Sequence, residues 1–279
     1  MQVILRLISL LPLRVLHALG TVLGWLLYGM SPTYRRHVRE NLRAARYDDA
    51  RVRRRAIAAA GQMIMELPAL WQRPNAEVAA LVKQTPGADD AYAAQKSGKA
   101  ILFLTPHMGS FEVAAQYAAS RMPITVLYRR PKFRWLDPVM RAGRGRGNVR
   151  LAPADRSGVK EILEAIKRGE AVGLLPDQVP GVGEGDWSEF FGQPAYTMTL
   201  AAKLAGRDNV ACYLAFAKRL PRGGGYSIVV RPLPQAQAGE TPTRRLNRGL
   251  EELIAECPEQ YLWGYNRYKI PAGAEAPPP

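Results

Sequence analysis

The apolar run Ala100-Ile101-Leu102-Phe103-Leu104, closed by Gly98 on one side and Pro106 on the other, constrains the fold of this 279-residue chain more than any other segment. Five consecutive apolar residues without alternation suit a strand covered on both faces, as in parallel sheets packed between helices. Further strand candidates follow at Ile124 to Tyr128, Ala171 to Leu175, Val210 to Ala217 and Tyr226 to Arg231. Helical spacing fills the intervals. Val159, Ile162, Leu163 and Ile166 recur behind Ser157, Thr197 to Leu204 runs toward Gly206, and Thr243 precedes Leu246, Leu250, Leu253 and Ile254 as a cap. Gly223-Gly224-Gly225 reads as a hairpin turn between the last two strands. Upstream, Ser31-Pro32 opens a basic helix running toward Arg46, and Asp48 is placed to cap another that ends at Pro68. The predicted class is α/β: a single domain with a mostly parallel central sheet flanked by helices, behind a helical front.

The residues after that first strand carry chemistry. His107-Met108-Gly109-Ser110-Phe111-Glu112 emerges where a strand opens into a helix, at the sheet edge that holds ligand crevices in open α/β folds. Inside one regular helix His107 and Glu112 would point roughly 140° apart. With His107 in the loop and only Glu112 in the helix, the carboxylate is expected to reach an imidazole nitrogen, with Gly109 permitting the turn and Ser110 capping the helix. A carboxylate that fixes the imidazole tautomer leaves the other ring nitrogen to take a proton from a hydroxyl. Ser110 lacks the Gly-x-Ser-x-Gly elbow of an α/β-hydrolase, so the hydroxyl is expected to come from a second substrate. The alternative for the pair alone is a helix-capping histidine near a surface glutamate.

Composition narrows the partners. The chain carries 39 Lys and Arg against 24 Asp and Glu, a formal net charge of +15, which calls for an anionic partner: nucleic acid, an acidic carrier protein, phosphate-bearing lipid or a membrane surface. Cys212 and Cys257 lie far apart with no CxxC pair, so neither a zinc site nor a disulfide framework is indicated, and a reducing compartment fits. Residues 3 to 30 are almost wholly apolar, interrupted by Arg6, Arg14 and His17. The stretch Val15 to Met30 approaches the roughly 20 residues of a bilayer span. Arg35, Arg36, Arg39, Arg43 and Arg46 follow, then Arg51, Arg53, Arg54 and Arg55, which place the body on the cytoplasmic side. No small-x-small cleavage site precedes these arginines, against a cleaved signal peptide. The reading is a membrane anchor over 1–30, a catalytic domain over 31–270 and a disordered tail over 271–279. A tilted span, a re-entrant hairpin, an interfacial helix and a buried core helix all fit the first segment.

Four segments together resemble one family. The His-x4-Glu of His107 and Glu112 is preceded by Ser97-Gly98-Lys99; Leu127-Tyr128-Arg129-Arg130-Pro131 follows, continued by Leu136-Asp137 and Arg144-Gly145-Arg146. The third block runs from Gly169 through Leu174-Leu175-Pro176-Asp177-Gln178 to Phe190-Phe191-Gly192, and the fourth is Pro258-Glu259-Gln260-Tyr261-Leu262-Trp263 with Arg267 and Lys269 behind it. The order and company of these blocks is similar to the bacterial lipid A late (secondary) acyltransferases, lauroyl/myristoyl type, of the lysophospholipid acyltransferase superfamily. In the fourth block Tyr265 and Asn266 stand where that family has histidine and arginine.

The resemblance implies a glycerolipid acyltransferase-like fold. It further implies transfer of a fatty acyl group from acyl-acyl carrier protein, or acyl-CoA, to a hydroxyl of a lipid A precursor. His107 is then the base and Glu112 its orienter, with backbone amides after Gly109 for the oxyanion. Arg129, Arg144, Arg146, Asp177, Gln178 and Arg267 are the expected substrate-binding residues, and Phe190, Phe191 and Trp187 candidate walls of an acyl pocket. The implied partners are acyl carrier protein, an anionic lipid acceptor and the inner membrane, with the catalytic domain on its cytoplasmic face and no metal or other cofactor. A lysophospholipid, glycolipid or aminolipid acceptor is the alternative within enzymes, with thioester hydrolysis beside it. A membrane-tethered nucleic-acid-binding protein is the alternative outside them, and nucleic acid is not expected, because the aromatics are not interleaved with basic residues along a strand.

Overall fold

The computed structural model describes residues 2–131 and 133–277. Helices α1 (Gln2–Ser9), α2 (Leu13–Met30), α3 (Pro32–Ala44) and α4 (Ala50–Gln72) form the front. Ser31 caps α3 as expected, its hydroxyl accepting from Tyr34 N. The cap of α4 is Asp49, whose Oδ1 accepts from Arg51 N and Val52 N, while Asp48 pairs with Arg53. Pro68 does not end α4. Ala69, Leu70 and Trp71 behind it are buried, and their packing offsets the amide hydrogen bond that proline removes.

Helix α2 lies along α4 through glycines. A Cβ on Gly61 would collide with the Gly20 carbonyl and the Gly24 backbone, and one on Gly24 with the Ile57 carbonyl, so two helix backbones touch over a Gly20-x-x-x-Gly24 face. The opposite face of α2 is bare: Leu19, Val22, Trp25, Leu26 and Met30 are exposed. Among the described residues α2 is the helix long and apolar enough to cross a membrane, with a third of it buried against the protein. Gly61→Leu is expected to lower stability by at least about 1–3 kcal/mol through overpacking. Gly29→Ala, with open space around it, is expected to leave stability equal or higher. Denaturant midpoints of the two variants in mild detergent check the contrast.

The body continues with α5 (Asn75–Ala80), β1 (Val82–Gln84), α6 (Ala88–Lys96), β2 (Ala100–Leu104), α7 (Phe111–Ala119), β3 (Ile124–Tyr128), α8 (Asp137–Arg144), β4 (Val149–Pro153), α9 (Arg156–Lys167) and β5 (Ala171–Leu174). It closes with β6 (Gly185–Phe190), β7 (Gln193–Met198), α10 (Thr199–Ala205), β8 (Val210–Arg219), β9 (Tyr226–Pro232) and α11 (Pro242–Ala255). Seven strands form one sheet in the order β1-β9-β8-β2-β5-β3-β4. The strands from β8 to β4 run parallel, and β9 pairs antiparallel with β8 across the triple-glycine turn. All five residues of β2 are buried, as its unbroken apolar run requires. Strands β1 and β4 add to those expected; both are short edge strands with partly exposed residues, which leaves them without a clear apolar pattern. The β6–β7 hairpin is a further addition. There Phe191 (φ 48°) and Gly192 (φ 74°) make a two-residue turn with both central residues left-handed. Asp155 caps α9, and Thr241 rather than Thr243 caps α11. Residues 271–277 carry no helix or strand, and Trp187 Nε1 donates to the Glu275 carbonyl; residues 278–279 of the expected tail lie outside the described residues.

Candidate active site

Strands β2 and β5 are neighbours in register, Leu104 beside Leu174, and each then runs three residues to its polar group. The two exits, Leu104-Thr105-Pro106-His107 and Leu174-Leu175-Pro176-Asp177, therefore deliver an imidazole and a carboxylate to the same point. His107 Nδ1 lies 2.7 Å from Asp177 Oδ1, and the His107 amide donates to Asp177 Oδ2 at 2.8 Å. Asp177 is buried. Burial alone would raise its carboxyl. The His107 charge, both His107 hydrogen bonds and the Arg267 charge outweigh burial and hold it below the usual carboxylate range. An ionised carboxylate only accepts, so Nδ1 carries a proton in either charge state, and in the neutral imidazole the lone pair is on Nε2. Gln178 donates its side-chain amide to that Nε2 at 3.2 Å.

The expected His107–Glu112 contact does not form: among the described residues the carboxylate within ion-pair distance of His107 is Asp177. Glu112, at the first turn of α7, is instead buried against Arg144, which donates to it through Nε at 2.7 Å and through Nη2. Held there, the Arg144 guanidinium lies over the rings of Trp71 and Tyr128, 5.9 and 5.8 Å from their centroids. Tyr128 donates to Asp137 at 2.7 Å, which ties β3 to α8 behind the arginine.

His107, Gln178, Glu112, Arg144, Arg129 and Arg130 line one crevice of about 320 Å³. Phe111, Ala115, Val126 and Leu175 form a wall shared with a narrow apolar slot of about 50 Å³, which runs between α7 and the sheet past Ala118 and Gly173. Phe190, Phe191 and Trp187 line neither space. Phe190 and Phe191 pack edge-on together, Phe191 against Tyr47 and Trp263, and Trp187 against Tyr196.

Two expected substrate contacts are structural. Arg146 spends its donors on the Arg73, Leu70 and Gly143 carbonyls and on Gln116, so it satisfies the carboxyl end of α4 rather than a ligand. Arg267 is buried, donating to Tyr196 O and Thr197 Oγ1 at 2.8 Å, with its guanidinium over Phe190. The loop carrying His107 is also held more tightly than its sequence suggests. Gly109 N donates to Gln260 O, Ser110 N to Ala217 O, and Leu262 N to His107 O, so the two amides nearest Gly109 are already engaged and not free for an oxyanion. Ser110 sits at the N-cap of α7, yet its hydroxyl is buried and unpartnered, which removes it as a nucleophile. Tyr265 accepts from Val179 N and so braces the loop that follows Asp177 and Gln178.

Sequence reasoning missed Glu66 and Arg219. Glu66 Oε1 and Oε2 accept from Arg219 Nη2 and Nε at 2.7 and 2.9 Å, and Arg219 Nη2 also donates to Gly109 O at 2.7 Å. The available signal was a carboxylate between Met63 and Leu70, on the side of a helix that is otherwise apolar.

A mostly parallel α/β sheet that presents an oriented imidazole to a basic crevice, with an apolar slot beside it and no serine, threonine or cysteine among the described residues lining the crevice, fits an enzyme that joins two substrates. The class is a transferase for an apolar group. The sequence profile of the bacterial lipid A biosynthesis acyltransferase family matches residues 1–270, and the chain belongs to that family. It is 26% identical over 275 residues to the lipid A biosynthesis lauroyltransferase of Escherichia coli K12, covering 95% of this chain and 89% of that one. The palmitoleoyltransferase of the same organism is 26% identical over 212 residues (75% and 68%), and its myristoyltransferase 28% identical over 178 (61% and 53%). The chain is thus an acyltransferase of lipid A biosynthesis, with an acyl donor and a lipid acceptor.

Proposed function

We propose that the protein transfers a fatty acyl group from acyl-acyl carrier protein, or from acyl-CoA, to a hydroxyl of a lipid A precursor, with His107 as general base. The observation that carries this is the 2.7 Å contact of His107 Nδ1 with Asp177, which leaves a lone pair at Nε2 on the crevice side. The acceptor hydroxyl displaces the Gln178 amide from Nε2 and gives up its proton there. Its oxygen attacks the thioester carbon, the C–S bond breaks, and the imidazolium returns the proton to the departing thiolate. The displaced Gln178 amide is then a donor for the developing oxyanion. No acyl-enzyme forms, because the attacking hydroxyl belongs to the lipid, and no metal or redox group takes part in these steps.

Arg144, fixed by Glu112, and Arg129 at the mouth pair with phosphate on the acceptor or donor. The acyl chain enters the apolar slot behind Phe111, which must widen between α7 and the sheet to take it; the relatives are named for different acyl groups, and the residues closing that slot set the length here. The net charge of +15 suits an acidic carrier protein and an anionic membrane surface. Helix α2, clamped on α4 with its outer face bare, lies in the interface of the inner membrane and holds the crevice at the cytoplasmic headgroup level.

His107→Ala is expected to reduce transfer from loaded acyl carrier protein to a lipid A precursor by about 10²–10⁴-fold, the usual contribution of a positioned base. Sedimentation with vesicles should be unchanged. Undiminished turnover by the purified variant would remove His107 from this role.

A further inference from the structure

A second basic groove lies between α2, α4 and the turn joining β8 to β9, and shares no residue with the crevice. Arg14, Arg55 and Arg222 are exposed around it, and His17 and Arg219 are buried lining residues. His17 Nε2 and Tyr226 Oη meet Glu66 Oε2 at 3.0 and 2.9 Å, so with Arg219 the Glu66 carboxylate is fully engaged beneath the groove. The carboxylate in the lining, Glu259, lies 3.9 Å from Arg55. Arg219 has one nitrogen left over: Nη1 is buried without a hydrogen-bond partner, although the side chain is only 3% exposed. A buried guanidinium N–H with no acceptor costs stability unless a ligand or water completes it.

The position of the groove says what that acceptor is attached to. At about 100° per residue, Ala18 and Thr21 in the groove adjoin Val22 and Trp25 on the bare apolar face of α2. An anion bound here therefore sits beside the hydrocarbon-facing stripe, where lipid phosphates lie. We infer that this groove binds the phosphate of an anionic membrane lipid, through Arg14, Arg55 and Arg222 with Arg219 at its base. The site rests on the membrane placement proposed above and not on acyl transfer. Since Arg219 also holds Gly109 O, the bound phosphate lies one side chain from the catalytic loop.

Native mass spectrometry of the full chain in neutral detergent tests this without any turnover. Phosphatidylglycerol and phosphatidylcholine are titrated separately, with inorganic phosphate in a third arm. Wild type should retain phosphatidylglycerol preferentially. The double variant Arg14→Gln/Arg222→Asn should lose about 20- to 30-fold in that affinity, at about fivefold per arginine near an anionic headgroup. Asparagine suits the left-handed backbone of residue 222 (φ 57°), so the turn is kept. Arg150→Gln/Arg168→Gln removes the same charge at the β4 edge of the sheet and should bind as wild type. Equal phosphatidylglycerol binding by the groove variant, or an equal loss in the edge variant, overturns the site. Inorganic phosphate binding as tightly as the lipid overturns the assignment to a lipid headgroup.

Discussion

Replacing Asp177 with Asn is expected to lower kcat about 10³–10⁴-fold with little change in fold, as the same exchange does in a serine protease triad, where the wrong imidazole tautomer costs about 10⁴. The introduced amide can still accept the His107 backbone N–H through its oxygen. Its NH2 would then face Nδ1 and donate to it. That reverses the tautomer: the imidazole proton moves to Nε2, and the nitrogen at the crevice no longer has a lone pair for the acceptor hydroxyl. Glu112→Gln should behave differently. It frees Arg144 from a charged hydrogen bond and lets the guanidinium leave its place between Trp71 and Tyr128, so the main effect falls on KM for the phosphorylated substrate. Steady-state kinetics of the two purified variants with one donor and one acceptor separate the assignments. A nearly normal kcat in Asp177→Asn together with a collapsed kcat in Glu112→Gln would make Glu112 the working partner of His107.

That exchange of partners shows what the chain made legible and what it did not. The strand at Ala100 to Leu104, the sheet class and the crevice at the strand exits follow from apolar run length and punctuation, which act locally. His107 was identifiable by its place at a strand exit. Its partner was not, because a five-residue spacing along the chain says nothing about a residue 70 positions away. The signal lay in the repeated Leu-x-Pro pattern before His107 and before Asp177, which matters only once β2 and β5 are known to be adjacent and in register. Arg146 and Arg267 escape sequence reasoning for a similar reason. An arginine that closes a helix end and one that waits for phosphate look alike until its neighbours' carbonyls are placed. Pro68 is overridden by buried Leu70 and Trp71 behind it, where tertiary packing exceeds a local rule.

The largest expected effect on stability comes from Arg219→Ala, at about 3–5 kcal/mol, because it strands the buried Glu66 carboxylate. Glu66→Gln should cost less at neutral pH and should alter the pH dependence. Burial alone would raise the Glu66 carboxyl, but the Arg219 charge and the hydrogen bonds from His17 and Arg219 bring it down to about 2 from an ordinary value of 4.5. A carboxyl depressed in the folded state contributes stability that is fully present above the unfolded value and lost as pH falls through the folded one. Wild type should therefore lose stability between about pH 4.5 and 2, and Glu66→Gln should lose less over that window. Glu240 is also brought down to about 2, by its hydrogen bonds from Arg248, and the pair is largely covered, so Glu240→Gln should likewise lose less stability than wild type as the pH falls through that window. Denaturant midpoints at about pH 7, 4.5 and 3 read all three variants. Because Arg219 also holds Gly109 O, kcat in Arg219→Lys should fall further than its midpoint predicts: lysine keeps the charge near Glu66 but lacks the fork that reaches Glu66 and the loop carbonyl together. A kcat that merely tracks the loss of folded protein would reduce the Glu66–Arg219 pair to a structural ion pair, with no part in holding the base.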